Sequence, residues 1–281
     1  MKAITATLAL LLASGPALGR ADEAGGDARP TPIPSSISGI APRPRLTLNL
    51  PAQAAATGGV LLLTGFSQLE TKRLAAPACR WCDQPQVDLW ARRELRWNDV
   101  KTAGAISDVL AVAIPAGAAL TLGLSARADG AGTREVTEDL LVVTEAASVA
   151  VLLTQASKFG TGRLRPDAWA GGGATTPDGR MSFWGGHSAF AFSVAAGATQ
   201  VARLRGRAGW KWLALAAFTG AAATSWMRVS ADRHWLTDVV VGAGVGTAVG
   251  LTVPLLVLRP ARERATAVML VPAPGGLALL F

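Results

Sequence analysis

Three clusters of basic residues and histidines lie in the second half of the chain. The first reads Lys-Phe-Gly-Thr-Gly-Arg-Leu-Arg-Pro over residues 158–166, the second Gly-Gly-His-Ser over 185–188, and the third runs from an arginine to an aspartate over 228–238. The chain has only two histidines, and both lie inside these clusters. Because the apolar segments around the clusters carry almost no charge, we interpret the three together as a binding site for an anion. Phosphate is the anion that suits them best.

Cations for the oxygens of a phosphate group are supplied by Lys158, Arg165 and Arg228. The guanidinium fork of arginine can bind two phosphate oxygens at once. Gly185 and Gly186 come just before a predicted helix, where free backbone N–H groups and the helix dipole favour an anion. We therefore predict that these five residues bind the phosphate of a substrate.

Phosphoryl transfer through a covalent intermediate also needs a nucleophile, a group that orients it, and an acid for the leaving alcohol. His234 and Asp238 are four residues apart at the predicted start of a helix, so their side chains lie on one face. An aspartate that accepts from one ring nitrogen fixes the tautomer and leaves the other nitrogen free to attack. We predict His234 as the nucleophile, Asp238 as its orienting group and His187 as the acid.

In this order the clusters resemble the signature of the type-2 phosphatidic acid phosphatase and vanadium haloperoxidase superfamily, which is Lys-x6-Arg-Pro, Pro-Ser-Gly-His and Ser-Arg-x5-His-x3-Asp. The first part matches in full, whereas Trp184 and Gly185 replace the usual Pro and Ser, and Met227 replaces a second Ser. The resemblance covers about residues 52–258. It implies a working enzyme in which His234 becomes phosphohistidine and for which neither a metal nor another cofactor is needed.

Six apolar segments are predicted as the helices that position these clusters. Four of them are apolar nearly all round, which indicates burial in protein or lipid. Several are only about 16–18 residues long, which is marginal for a hydrocarbon core about 30 Å thick, so a membrane-associated periplasmic protein is an alternative. The predicted fold class is all-α, a membrane-embedded six-helix bundle with a short C-terminal β-hairpin. The predicted helices cover residues 52–69, 102–124, 136–157, 187–203, 210–226 and 236–258.

The ends of the chain predict export and three flanking segments. Residues 1–21 have a short basic start, an apolar run and a small-residue exit, typical of a signal peptide, with an uncleaved N-terminal anchor as the alternative. Residues 22–51 are rich in Gly, Pro and Ser and predict a flexible tether. The helical domain follows at 52–258, and the tail at 259–281 holds two short apolar runs around a Pro/Gly turn, which predict the hairpin.

Sidedness is predicted from the loop at 203–211, which holds four positive charges and no negative one. Loops of this kind stay in the cytoplasm, so the three clusters at the opposite helix ends are predicted to lie outside it. A cleaved signal followed by six spans would put the clusters inside. Either the leader stays in the membrane, or the first apolar segment does not span it.

Cys79 and Cys82 are the only cysteines. In an exported protein such a pair predicts a local disulfide that braces a loop. A thioredoxin-like redox site would need a βαβ pattern, and a zinc site would need two further ligands. We therefore predict a structural disulfide.

The net charge of +8 is compatible with nucleic acid, but the charges are distributed among loops and form no stripe on a helix face. The predicted partners are therefore a membrane and a phosphorylated lipid or other phosphomonoester, and no nucleic acid. The leading hypothesis is a metal-independent phosphatase of a bacterial-type cell envelope, in the inner membrane with a periplasm-facing site or in the periplasm, acting on a lipid phosphate or diphosphate. The alternatives are a periplasmic acid phosphatase for soluble substrates, a vanadate-dependent haloperoxidase, and a non-catalytic membrane protein.

Overall fold

The computed structural model describes residues 46–260, 269–273 and 276–280. The predicted leader at 1–21 lies outside the described residues, as does most of the predicted tether. The end of that tether belongs to the fold, however. Strand β1, Leu46–Thr47, pairs antiparallel with β2, Arg259–Pro260, which ties the start of the described chain to the end of its last helix.

The chain is mostly helical. Each of the six predicted segments corresponds to a long helix, but the six-helix count is not confirmed, because the described residues contain nine helices. The additional helices are short and contain charged or polar residues, so a search for long apolar runs could not find them. In chain order the helices are α1 (Leu50–Leu69), α2 (Thr71–Leu74), α3 (Gln86–Leu95), α4 (Val100–Ala128), α5 (Thr133–Thr161), α6 (Pro166–Ala170), α7 (Gly186–Leu204), α8 (Trp210–Ser230) and α9 (Leu236–Val257).

Local sequence explains where several helices begin and end. The side chains of Asn49 and Asp99 accept hydrogen bonds from the first turns of α1 and α4, as N-cap residues do. Helix α5 ends at Gly162, whose φ of 57° lies in the left-handed region that favours glycine. A Cβ at Gly162 would also lie 2.8 Å from that of Ala76. Both the backbone conformation and the close packing at this turn therefore require glycine.

Helix α7 is the centre of the bundle, with 13 of its 19 residues buried. It packs most closely against α9, where glycines at every fourth position allow the two backbones to touch. A Cβ at Gly242 would lie 2.6 Å from the carbonyl oxygen of Gly185, and one at Gly246 would collide with the carbonyl of Ala189. The apolar character of α7 therefore reflects burial in protein.

Three of the described helices are long and apolar enough to cross a membrane: α4, α5 and α9. The prediction of a membrane protein is supported to this extent. Other helices also expose apolar side chains: Leu62 on α1 is 77% exposed, and Trp212 on α8 is 76% exposed.

The basic loop between α7 and α8 is partly buried. Arg205 donates to Asp139 at 2.8 Å and Arg207 to the other oxygen of that carboxylate at 2.5 Å, and both arginines are buried. Arg205 also donates to Glu138 and to the carbonyl of Leu46. Two of the four positive charges are thus used to close the end of the bundle opposite the clusters.

The C-terminal hairpin is present as β3, Met269–Ala273, paired antiparallel with β4, Gly276–Leu280. The predicted strands were Ala265–Val271 and Leu277–Phe281, and residues 265–268, 274, 275 and 281 lie outside the described residues. Pro272, predicted for the turn, belongs to the first strand. A two-stranded hairpin tolerates proline because one side of each strand is unpaired.

Candidate active site

The three clusters meet at one end of the bundle. Lys158 lies in the last turns of α5 and Arg228 in the last turn of α8, while His187 and Asp238 lie in the first turns of α7 and α9. Consecutive helices run in opposite directions, so these four termini are neighbours. The structure therefore brings together the residue types that the sequence analysis selected.

The side chain of Arg165 is fixed beside His234. Its Nη1 lies 3.3 Å from Nε2 of His234 and donates to the carbonyl of Arg233 at 2.8 Å. The Nε and Nη2 atoms donate to the carbonyl and the carboxylate of Asp178, at 2.9 and 2.8 Å. An anion bound to this guanidinium would therefore lie next to Nε2, the nitrogen predicted to attack.

The other ring nitrogen of His234 faces Asp238. Nδ1 lies 3.5 Å from Oδ2 of Asp238 and has no hydrogen-bond partner within the described part of the chain. The same carboxylate oxygen accepts from the hydroxyl of Ser182 and from the N–H of Trp235. Catalytic hydrogen bonds are often long without substrate, so this separation suits a contact that shortens when charge develops on the ring.

His234 is a neutral base in this environment. Its side chain is 2% exposed, and burial lowers the pKa of the imidazole well below 6.5. The positive charges of Arg165, Lys158 and Arg228 lower it further. A neutral imidazole keeps the lone pair that a nucleophile needs at neutral pH.

The second cluster contributes space and backbone donors. The N–H of Gly185, predicted to face the anion, instead donates to the carbonyl of Asp238 at 2.9 Å. The first-turn N–H groups of α7, at Gly186 and His187, remain for an anion, because no side chain caps this helix. A Cβ at Gly186 would lie 3.5 Å from Nζ of Lys158, so glycine keeps the approach to that amine open.

His187 and Arg228 share a carboxylate that no cluster contains. Oδ1 of Asp108, on α4, lies 3.2 Å from Nε2 of His187 and 3.4 Å from Nη1 of Arg228. Burial, and then the charge of Arg228, lower the pKa of His187 to about 4, although Asp108 acts in the opposite direction. The imidazole is thus neutral at pH 7 until a further negative charge arrives.

Asp178 is a second carboxylate that the sequence analysis did not select. It lies in the 3-10 helix Pro177–Arg180 and pairs with Arg165 at 2.8 Å and Arg233 at 2.9 Å. Burial acts to raise its pKa, but the two guanidinium groups outweigh burial and hold the pKa below its usual value. Asp178 is therefore ionised at neutral pH and anchors Arg165.

Arg163 is the largest omission of the sequence analysis. It lies inside the first cluster, yet its side chain is fully buried and pairs with two carboxylates, Asp88 and Asp238. Its guanidinium carbon lies 4.0 Å from the ring centre of Trp81. Its position in the first cluster was the available signal, whereas no sequence signal pointed to Asp88.

The predicted disulfide between Cys79 and Cys82 is confirmed. It closes the loop that carries Trp81, and the carbonyl of Trp81 accepts from the N–H of Leu164. The brace therefore supports the first cluster from outside. Within the described residues, no group of three or more His, Cys, Asp or Glu side chains is placed to hold a metal ion.

Two neighbouring cavities lie in this part of the bundle, and one of them is lined by Lys158. One of about 270 Å³ is lined by Lys158, Gly186 and His187 together with apolar side chains that include Val151 and Phe190. The second, of about 330 Å³, is almost entirely apolar and lies among α1, α4, α5 and α7. Because Val151 and Phe190 line both, the two cavities are adjacent.

Comparison with known proteins identifies the region that carries these features. Residues 139–262 match the sequence model of the PAP2 superfamily. The Lipid A 1-phosphatase of Porphyromonas gingivalis is 31% identical over 160 residues, which are 56% of this chain and 32% of that protein. The chain thus spans about a third of the length of this curated relative. A crystal structure described as the first transmembrane PAP2 type phosphatidylglycerolphosphate phosphatase, from Bacillus subtilis, aligns with 73% of this chain and 94% of its own, at 18% identity and a TM-score of 0.42.

Proposed function

We propose that this chain, whose residues 139–262 match the sequence model of the PAP2 superfamily, hydrolyses the phosphate or diphosphate ester of a membrane lipid through a phosphohistidine intermediate. The observation that carries the proposal is the environment of His234. A buried, neutral imidazole presents Nε2 to Arg165, while its opposite nitrogen faces a carboxylate. This is the arrangement that attack on a phosphorus atom requires.

In the first step, the substrate phosphate binds among the cations and the free N–H groups of α7, and Nε2 of His234 attacks phosphorus. A P–N bond forms as the P–O bond to the leaving group breaks, which is the lipid alcohol of a monophosphate or the lipid phosphate of a diphosphate. The imidazole gains positive charge, which Asp238 stabilises from the Nδ1 side. His187 gives its proton to the leaving oxygen. The cations that balance the phosphate oxygens are Lys158, Arg165 and Arg228.

The proton on His187 depends on the substrate. Its pKa of about 4 leaves His187 neutral at pH 7. A bound phosphate adds negative charge beside the ring and raises its proton affinity. In the second step, neutral His187 accepts a proton from water, which attacks phosphorus and breaks the P–N bond, and inorganic phosphate leaves.

Asp108 stands where part of the substrate would bind. Its carboxylate contacts His187 and Arg228, the two groups that the leaving oxygen and the phosphate need. Because the Asp108 side chain is 68% exposed, it can turn away at little cost. We expect the incoming phosphate to displace it.

The apolar cavity supports a lipid over a soluble ester. It adjoins the cavity lined by Lys158 and His187, with which it shares Val151 and Phe190, so the chain of a lipid whose phosphate is bound there would have apolar space beside it. Each buried CH₂ group contributes about 0.8 kcal/mol. Val151→Trp would exclude about two such groups, and the ratio of lipid to p-nitrophenyl phosphate turnover should fall about tenfold. Val112→Trp, at a position 71% exposed on α4, is the matched control.

The direct test is phosphate release by the purified protein in EDTA. A panel of phosphatidate, undecaprenyl diphosphate, a lipid A phosphate and p-nitrophenyl phosphate separates lipid from soluble substrates. Turnover of at least one lipid, absent in His234→Gln, is the expected result. Hydrolysis of p-nitrophenyl phosphate alone would favour a soluble substrate. No hydrolysis of any compound by a folded protein would refute the proposed function.

We further propose an inner-membrane location with the site facing the periplasm. Sidedness follows the number of Lys and Arg residues in a loop, so the 203–211 loop still favours the cytoplasm although two of its arginines are buried. A reporter that is active only in the periplasm should be silent when fused after Arg205 and active when inserted near Gly172. The opposite pattern would reverse the proposed topology.

A further inference from the structure

Asp88, on α3 and outside the three clusters, is joined to Asp238 through one arginine. Nη2 of Arg163 donates to Oδ2 of Asp88, and Nη1 donates to Oδ1 of Asp238, both at 2.5 Å. All three side chains are 0% exposed. Two buried carboxylates thus share one buried cation, so with both carboxylates ionised the group of three has a net charge of −1. We call these three residues the shared-arginine triad.

The remaining donors of Arg163 are also used, but by neutral groups. Nε and Nη2 donate to Oε1 of Gln84 at 2.9 and 2.7 Å, and Nη1 donates to the hydroxyl of Thr237 at 2.8 Å. No second cation contacts Asp88 or Asp238 in the described part of the chain. The negative charge of the triad is therefore not cancelled locally.

The triad is fixed to the first turn of α9. Oδ1 of Asp88 accepts from the N–H of Thr237 at 2.8 Å, and Oδ2 accepts from its hydroxyl at 2.7 Å. Thr237 is the residue before Asp238, so Asp88 holds the backbone that carries the carboxylate. That carboxylate directs Oδ2 at Nδ1 of His234, 3.5 Å away, while Oδ1 is used by Arg163.

A net buried charge is costly, and the fold could have satisfied Arg163 without it. If Asp238 were the only acid on Arg163, the pair would be neutral and would present little charge to His234. Because Asp88 binds Nη2 of Arg163 while Asp238 binds Nη1, the positive charge of the guanidinium is shared between the two carboxylates. More of the negative charge of Asp238 is then left to act on His234. It opposes the positive charges of Arg165, Lys158 and Arg228, which act on the same ring, Arg165 from the Nε2 side.

We propose that Asp88 is a positioning residue of the phosphoryl-transfer site, which shares Arg163 so that Asp238 keeps a negative charge directed at Nδ1 of His234. This inference rests on the proposed function. As Nε2 attacks phosphorus, positive charge develops on the ring, and the triad stabilises it. Asp88 itself touches neither substrate nor the reacting atoms.

Asp88→Asn tests the inference because it removes the charge and keeps the size and one oxygen that can accept from the N–H of Thr237. The matched control is Asp139→Asn, which also turns a buried, arginine-bound carboxylate into an amide. Asp139 accepts from Arg205 and Arg207 and lies about 28 Å along α5 from Lys158. With a lipid phosphate, Asp88→Asn should lower kcat about 10–100-fold and leave KM within about threefold. Asp139→Asn should lower thermal stability to a similar extent with kcat unchanged.

A second readout does not depend on turnover. The chain has two histidines, so the spectrum of nitrogen-15-labelled histidine can be assigned with His187→Gln. In the wild type we expect His234 to carry its proton on Nδ1. In Asp88→Asn the Nε2-protonated tautomer should gain population. Arg163→Lys, which keeps the charge but cannot bind both carboxylates equally, should give the same shift if Asp88→Asn is not recovered folded.

The possible results distinguish a failure of the role proposed for Asp88 from a failure of the proposed function. Equal kcat in Asp88→Asn and Asp139→Asn, with an unchanged His234 tautomer, would overturn the role of Asp88 and leave the phosphatase proposal intact. A wild type without phosphatase activity would refute the proposed function, and the tautomer of His234 would still decide whether the triad controls this histidine.

Discussion

The contact between α7 and α9 makes the geometry of the site sensitive to a single methyl group at Gly242. A Cβ there would lie 2.6 Å from the carbonyl oxygen of Gly185 and 3.2 Å from Cβ of Ser188. Side-chain carbons essentially never approach closer than 3.0 Å, so the backbones must separate by at least 0.4 Å, the difference between 3.0 and 2.6 Å. Gly244, on the same helix, has no atom within 4 Å of the corresponding position and provides the control.

The two alanine variants should differ in stability. Both gain up to about 1 kcal/mol of helix propensity, but only Gly242→Ala is overpacked, at a cost of about 1–3 kcal/mol. The difference between the variants is therefore about 1–3 kcal/mol, or roughly 2–12 °C in Tm for a domain of this size. Thermal unfolding in one detergent measures it.

Gly242→Ala and Gly244→Ala should also differ in catalytic activity. Gly185 donates its N–H to the carbonyl of Asp238, so moving α7 from α9 also moves the first turn with His187 away from His234. A displacement of about 1 Å can cost about 10²-fold, and a smaller shift should lower kcat/KM about tenfold. Equal Tm and equal kcat/KM in Gly242→Ala and Gly244→Ala would refute the close packing and the argument that it positions the site.

Three further predictions concern individual side chains. His187→Ala should lose about 10²–10⁴-fold on a lipid phosphate and much less on p-nitrophenyl phosphate, whose leaving group needs no proton, and an equal loss on both would make His187 a phosphate ligand. Because burial lowers the pKa of His234 below 6.5, the unfolded chain binds more protons at acid pH, so stability is present above 6.5 and lost below it. Acidification from pH 8 to pH 5.5 should therefore lower the Tm of the wild type more than that of His234→Gln, and equal slopes would contradict the assignment. Replacing both Cys79 and Cys82 by Ser should lower Tm and preserve turnover at low temperature, whereas loss of turnover in a folded double variant would revive a redox role.

The sequence predicts the long helices well because their apolar runs are long and the residues between them are punctuated by Gly, Pro and charge. Helix α3 is different. Its ten residues include Asp88, Arg92 and Arg93, and it forms because these side chains find partners far along the chain, such as Asp232 for Arg92. Tertiary contacts of this kind leave no periodic signal in the sequence.

The site residues also divide into those that the sequence pattern indicates and those that depend on tertiary contacts. His187, His234 and the cations Lys158, Arg165 and Arg228 could be selected from the sequence because their types and spacing are unusual and few alternatives exist in the chain. Arg163 lies among them, but nothing in its spacing tells which guanidinium faces His234 and which faces two buried carboxylates. That distinction depends on the direction of a side chain after Gly162 turns the backbone, and only the folded chain fixes it.

The central claim is that His234 carries the phosphoryl group. The most direct measurement is acid-free rapid quenching of the wild type during turnover of a phosphate-labelled lipid, followed by mass spectrometry of its peptides. We predict an acid-labile label on His234 that appears before free phosphate and is absent from His234→Gln. A label on any other residue, or one that persists in His234→Gln, would contradict the account.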